Sequence, residues 1–155
     1  MQQLYLDTEF TDFSNPKLIS IGIVAHSGEE FYAEVEYSRD ECSDFVRANV
    51  LPLLTQSDRF SLEELRARLL AWIETIRKTG PILICFDSEY DRKMLDEIFE
   101  AQMPPLTVLR NLGANYVNKL KQYEWHVKTR QPEHHALHDA RALRYAFRGW
   151  GRSVR

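Results

Sequence analysis

The sequence predicts an α/β fold: a mixed sheet, in which an antiparallel three-strand meander is continued by parallel strands, flanked by helices. Three observations predict it. Short runs rich in β-branched and aromatic residues crowd the first 37 positions and are joined by turn signals. Helix-period segments then alternate with short, wholly apolar runs of strand length, the pattern of parallel strands covered on both faces. The third is size. A chain of 155 residues with 44% hydrophobic and 12% aromatic content makes one domain, spanning 1–155, that can bury a real core.

Residues 4–10 (LYLDTEF) read as the first strand. After a turn at Asn15-Pro16, residues 18–37 read as two more strands joined at Ser27-Gly28, which completes the meander. Residues 42–54 read as a short helix ending near Pro52. Ser61 and Glu64 form a capping box for a helix over 62–78. Its Leu62, Leu65, Leu69, Trp72, Ile73 and Ile76 share one stripe, and Gly80-Pro81 ends it. Residues 81–86 (PILICF) are a buried parallel strand. Ser88 caps a helix to about residue 100, with Met94, Leu95, Ile98 and Phe99 inward, and Pro104-Pro105 stops it. Residues 106–109 (LTVL) are a further strand, 111–123 a helix and 124–133 a mobile loop. The last helix runs from about 134 to 147, with Ala136, Leu137, Ala140, Leu143, Ala146 and Phe147 on its buried stripe. A basic tail over 149–155 is a candidate for disorder.

Composition excludes several classes. No apolar run reaches the roughly 18 residues of a membrane helix. The start MQQLYLDTEF lacks the basic, apolar and small-residue blocks of a signal peptide, so the cytoplasm is the default. Cys85 lies in an apolar run and reads as a core thiol, whereas Cys42 lies in a polar segment. No disulfide is expected, and two cysteines make a poor zinc site. The net charge of −3 hides an asymmetry: residues 1–105 balance to −10 and residues 106–155 to +7. A basic final third can hold a polyanion locally, though a solvated basic helix face would look the same.

Three segments carry acids in chemically suggestive places. Asp7 and Glu9 are two apart on a strand, so both point to one face and repel unless a cation lies between them. Asp91 follows the buried strand, where the C-terminal edge of a sheet opens into clefts; with Asp87 and Glu89 it would equally suit a helix start. Asp139 lies beside the buried stripe of the last helix, one turn in from His134 at the helix entrance, so both can border one cleft. Singly, each acid also reads as an ordinary solvated carboxylate. His135 and His138 read as helix exterior, His26 as turn and His126 as loop surface.

Together, Asp7-Thr8-Glu9, Tyr90-Asp91 and His134-His135-Ala136-Leu137-His138-Asp139 resemble the three motifs of the DEDD 3′→5′ exonuclease superfamily, in its histidine-bearing (DEDDh) branch. The DTEF opening, the length and the ALHDA run are most similar to its compact bacterial exoribonuclease group, the group of ribonuclease AS. One departure is Asp87, where many members carry Asn; it bears on local hydrogen bonding rather than on the metal ligand.

The resemblance implies a ribonuclease H-like sheet and two divalent cations, Mg²⁺ or Mn²⁺, held by Asp7, Glu9, Asp91 and Asp139. Asp7 would bridge both ions. Glu9 and Asp139 would complete the site on the attacking-water side, and Asp91 would serve the leaving-group side. His134 would be the general base, histidine being the side chain that titrates near neutral pH. The implied partner is the 3′ end of single-stranded RNA, with DNA possible, and relatives often pair as two-fold homodimers. Thr8, Phe10 and Arg141 are the expected substrate contacts. Phe10 would stack on the terminal base, although its position also suits the core. Loop 124–133 and Arg144 are further candidates to contact the phosphates. Near the 3′ end, Glu9 or a neighbouring backbone group could sense the 2′-hydroxyl. Three alternatives compete: a DNA exonuclease with the same site, a nucleic-acid-binding module with a dead site, and a phosphohydrolase built on His138-Asp139.

Overall fold

The computed structural model describes residues 1–55, 58–78 and 80–151. Strands β1 (Gln2–Phe10), β2 (Leu18–Ala25) and β3 (Glu30–Glu34) form the antiparallel meander, and β4 (Ile82–Phe86) and β5 (Thr107–Asn111) add on parallel to β1. The sheet order is β3-β2-β1-β4-β5, the mixed sheet predicted. β1 lies in the middle, so what its end carries is reachable from both sides.

Alternation along β1 divides the molecule into two layers. Leu4 and Leu6 face helices α2 (Leu62–Arg77) and α3 (Glu89–Ile98), whose Leu65, Leu69, Ile73, Met94 and Leu95 close the larger core. The capping box is reciprocal: Ser61 Oγ accepts from the Glu64 N–H, and a Glu64 carboxylate oxygen accepts from the Ser61 N–H. Such a cap contributes about 0.5–2 kcal/mol. Tyr5 faces the other way, onto α6 (Ala136–Ala146), where Leu143 and Ala146 meet Cys85, Leu112 and Val117. Asp7 and Glu9 share the Tyr5 face and therefore lie under α6.

Gly22 makes that arrangement possible. It pairs with Asp7 across β1 and β2. A Cβ at this position would lie 2.4 Å from backbone atoms of Ala136 and Leu137. Only a glycine lets the first turn of α6 settle directly over the sheet beside Asp7.

Several expectations are corrected. The predicted helix over 42–54 is a short α1 (Asp44–Asn49) between two 3₁₀ turns, and Pro52 lies in the second of them. Cys42 is buried despite its polar neighbours, against Ile19, Val46 and Val50; both cysteines are free. The segment 111–123 is not one helix. β5 extends to Asn111, α4 (Gly113–Tyr116) follows, and the β-branched Val117 turns extended to bridge Phe147.

The largest correction is 124–133. Most of it is helix α5 (Lys119–Thr129), not a mobile loop. Asn118 caps it by accepting from the Lys121 N–H, and Glu124 pairs with Lys128 one turn on at 2.6 Å. Of the basic tail, Trp150 lies against Tyr116 and Phe147, and its ring N–H donates to Gln3 Oε1; residues 152–155 lie outside the described residues. Among the described residues, no helix is long and apolar enough to cross a membrane.

Candidate active site

The site is assembled at the C-terminal end of β1. β1 supplies Asp7 and Glu9 on one face, half-buried, and a register irregularity follows at Glu9–Phe10. Beyond Tyr5, β1 outruns its pairing with β4, which leaves backbone donors free on that edge. Asp91 of α3 fills the gap. Its Oδ1 accepts from the Thr8 N–H at 3.0 Å and from Thr8 Oγ1 at 2.7 Å. The second oxygen, Oδ2, is buried with no hydrogen-bond partner. An orphaned buried carboxylate oxygen is costly unless a cation or proton meets it.

α6 delivers the remaining groups. His134 precedes it with φ 67°, a left-handed conformation that costs a non-glycine residue about 1–3 kcal/mol. Two contacts hold it there: its N–H donates to Asp139 Oδ2 at 2.9 Å, and its ring meets Phe45 edge-on. Asp139 Oδ1 lies 3.0 Å from Nε2 of His126, and Nδ1 of His126 donates to the Gln131 carbonyl at 2.8 Å.

The acids fall into two groups, Glu9–His134–Asp139 and Asp7–Asp87–Asp91, each with candidate ligand atoms within 4.8 Å of one another. Burial, then Asp91, Asp139 and Glu9 around it, push the Asp7 carboxyl well above its usual range. Burial and then Asp139 do the same to Glu9. Burial raises Asp91 to about 7, against the lowering pull of the Thr8 hydroxyl. Burial is the first cause of all three shifts, and neighbouring carboxylates add to it. A donor set made of oxygens, with one orphaned and the rest mutually repelling, fits hard divalent cations.

Known proteins resemble this chain in sequence and in fold. A family model described as the 3′-5′ exoribonuclease Rv2179c-like domain matches residues 2–149. This chain belongs to the Rv2179c-like exoribonuclease family. Two Mycobacterium tuberculosis proteins, the 3′-5′ exoribonucleases Rv2179c (strain H37Rv) and MT2234.1 (strain CDC 1551), are each 30% identical over 93% of this chain and 90% of their own. The fold is also that of S. pombe Pop2p in its Mg²⁺- and Mn²⁺-bound form. The TM-score is 0.57 at 10% identity, over 92% of this chain and 79% of that one.

In this member of the Rv2179c-like family, the five residues singled out in the motifs come together: Asp7, His134 and Asp139 line one hollow, Glu9 meets His134 and Asp139 from the neighbouring one, and the buried Asp91 meets Asp7. The other three predicted residues are placed differently. Thr8 is buried and holds Asp91. Arg141 is turned to the protein: its Nε and Nη2 grip both oxygens of Glu30 and its Nη1 donates to Gln131, which ties α6 to β3. Phe10 stacks on Tyr90 at 5.0 Å and lines an apolar hollow with Phe13, Phe45 and His134.

Two site residues were not predicted. Asp87 joins the Asp7–Asp91 group, held by Lys119 Nζ at 2.6 Å; its signal was its position one residue past a buried strand. His126, expected on a surface loop, is buried in α5. Burial pulls its pKa down, but the bonds to Asp139 and the Gln131 carbonyl and the charges of Asp139 and Glu133 together raise it, so both ring nitrogens carry protons toward acceptors. His135 is corrected too. Rather than facing solvent, it is stacked between Tyr32 and His138.

Proposed function

We propose that this chain is a metal-dependent exoribonuclease that removes nucleotides from the 3′ end of single-stranded RNA. The observation that carries the reading is that Asp7, Glu9, Asp91, Asp139 and His134, from separate parts of the chain, meet in two adjoining groups whose acids feel one another. Family membership supports the substrate and the direction.

Asp7, Glu9, Asp91 and Asp139 would hold two Mg²⁺ or Mn²⁺ ions, with Asp87 beside Asp7 and Asp91. When bound, such ions neutralise phosphate charge and make a water easier to deprotonate. The chain's own residues do the rest. His134 borders the Glu9–Asp139 group and takes the proton of the attacking water; Phe45 and the bond to Asp139 fix its ring and backbone. Thr8 holds one oxygen of Asp91 so that the other faces Asp7. His126 holds one oxygen of Asp139. The hollow of about 310 Å³ lined by Phe10, Phe13 and Phe45 receives the terminal nucleoside, with Glu9 at its edge within reach of a 2′-hydroxyl. The enzyme is proposed to work in the cytoplasm and, as the motif resemblance implies, as a homodimer; sedimentation tests the dimer.

Incubating 5′-labelled single-stranded RNA and DNA with Mg²⁺, Mn²⁺ or EDTA tests the reading. A one-nucleotide ladder growing from the 3′ end of RNA, absent in EDTA, is expected. Internal cuts, cleavage that survives EDTA, or cleavage of DNA alone would overturn it.

A further inference from the structure

We infer that the outer face of α5 is the track along which the RNA strand upstream of the cleaved bond leaves the active site. This rests on the reading just given and adds where the polymer lies.

α5 is amphipathic the wrong way round. Its buried residue is His126, while Leu120, Tyr123 and Val127 are 76%, 58% and 59% exposed. Spacings of three and four place these three on one face. An apolar stripe in water marks a surface that something covers.

Its place says what covers it. Tyr123, His126 and Glu133 line the hollow that holds Asp7, Asp87, Asp139 and His134, and the same three line an adjoining hollow bounded by Val127 and Arg130. The two, each about 310 Å³, therefore make one trough running from the catalytic acids along α5. The Phe10 hollow meets the acid hollow at His134, which lines both, and ends against Val46 and Val50, both buried. That side has room for an end, whereas the trough is open to the continuing strand.

Charge points to the same occupant. Over residues 118–131, Lys119, Lys121, Lys128 and Arg130 face one acid, Glu124, although residues 1–105 balance to −10. A tyrosine ring on an apolar stripe flanked by cations is what a single strand requires: faces for its bases and charges for its phosphates. Eleven helical residues span roughly 16 Å, about five stacked nucleotides at ~3.4 Å each.

The test is a chain-length series. kcat/KM is measured on single-stranded RNA of two, four, six and ten nucleotides with Mn²⁺. Binding of a fluorescein-labelled ten-nucleotide RNA is followed by anisotropy in EDTA. Wild type is expected to gain tenfold or more between two and about six nucleotides and then level off. Val127→Glu and Tyr123→Ala should each remove most of that gain and weaken ten-nucleotide binding roughly tenfold, whereas Val127→Lys should keep both. A helix merely damaged by a polar residue would fail equally with Glu and Lys, and that outcome overturns the track. So does a wild type that treats two and ten nucleotides alike, or a Val127→Glu that keeps the gain and instead splits a dimer in sedimentation. If no RNA is cleaved but binding still depends on the charge at 127, the reaction fails and the track stands; if RNA is neither bound nor cleaved, both fail.

Discussion

A catalytic carboxylate is only as useful as the hydrogen bonds that aim it. Thr8 and His126 aim two of the four here: Thr8 binds one oxygen of Asp91 and leaves the other without a partner, and His126 binds one oxygen of Asp139 while the His134 N–H binds the other. His126 is the sharper case, because its Nδ1–H is already committed to the Gln131 carbonyl and its Nε2 can only serve Asp139. His126→Ala is therefore expected to lower kcat by about 10–100-fold with little change in KM for RNA. Calorimetry on the same variant should show weaker Mn²⁺ binding, and His126→Gln, whose amide can donate, should recover part of it. Mn²⁺ affinity left intact in the alanine variant would reduce His126 to a packing residue. Asp91 and Asp139 needed no such partner to be noticed, since their type and spacing advertise them. His126 went unnoticed because a lone histidine in a polar stretch carries no periodic signal; only the fold brings it to Asp139.

Elements differ in how openly the sequence writes them. β1, β2, β3 and β4 were legible because each is a short run of β-branched, aromatic or wholly apolar residues bounded by turn signals, and α2 because its 3.6-period stripe follows a capping box. α5 was not, because its apolar positions face outward and its inward contact is a polar ring. The break at Val117 was missed for a related reason: it comes from pairing with Phe147, a residue 30 positions away. The closest approach in the site also depends on two elements at once, the first turn of α6 and the middle of β2 at Gly22. Gly22→Ala must push α6 off the sheet, since the new methyl meets backbone rather than a movable side chain. Overpacking of this kind costs about 1–3 kcal/mol or more, a fall in Tm of roughly 3–10 °C for a chain of this size. A shift near 1 Å at Asp139 and His134 should also cost about 100-fold in kcat. A thermal melt and a turnover measurement check both. Unchanged turnover in a folded Gly22→Ala protein would mean the position of α6 over β1 is not what aligns the site.

At the scale of the whole molecule, the acid pocket makes stability and catalysis compete. Without divalent ions, Asp7, Glu9 and Asp91 hold protons more tightly when folded than when unfolded. The stability they allow is full below the ordinary carboxylate range and is lost as pH rises through Asp91's value of about 7 and the raised values of Asp7 and Glu9. His126, raised as well, adds to the loss in the same direction. Asp12 and Glu30, whose carboxyls are held low by Ser14 and Arg141, act oppositely but finish below that window; His135 and His138, which burial lowers, act oppositely within it and offset part of the fall. In EDTA, Tm should therefore fall from about pH 5 to pH 8. Mg²⁺ binds the deprotonated folded pocket, so the Tm it restores should be small at pH 5 and grow toward pH 8. Melts at four pH values with EDTA or Mg²⁺ decide the matter. A Tm in EDTA that is flat or rising over this range would mean that the raised carboxyls do not outweigh the opposing His135 and His138. A Mg²⁺ increment independent of pH would mean that the ion binds somewhere other than among them.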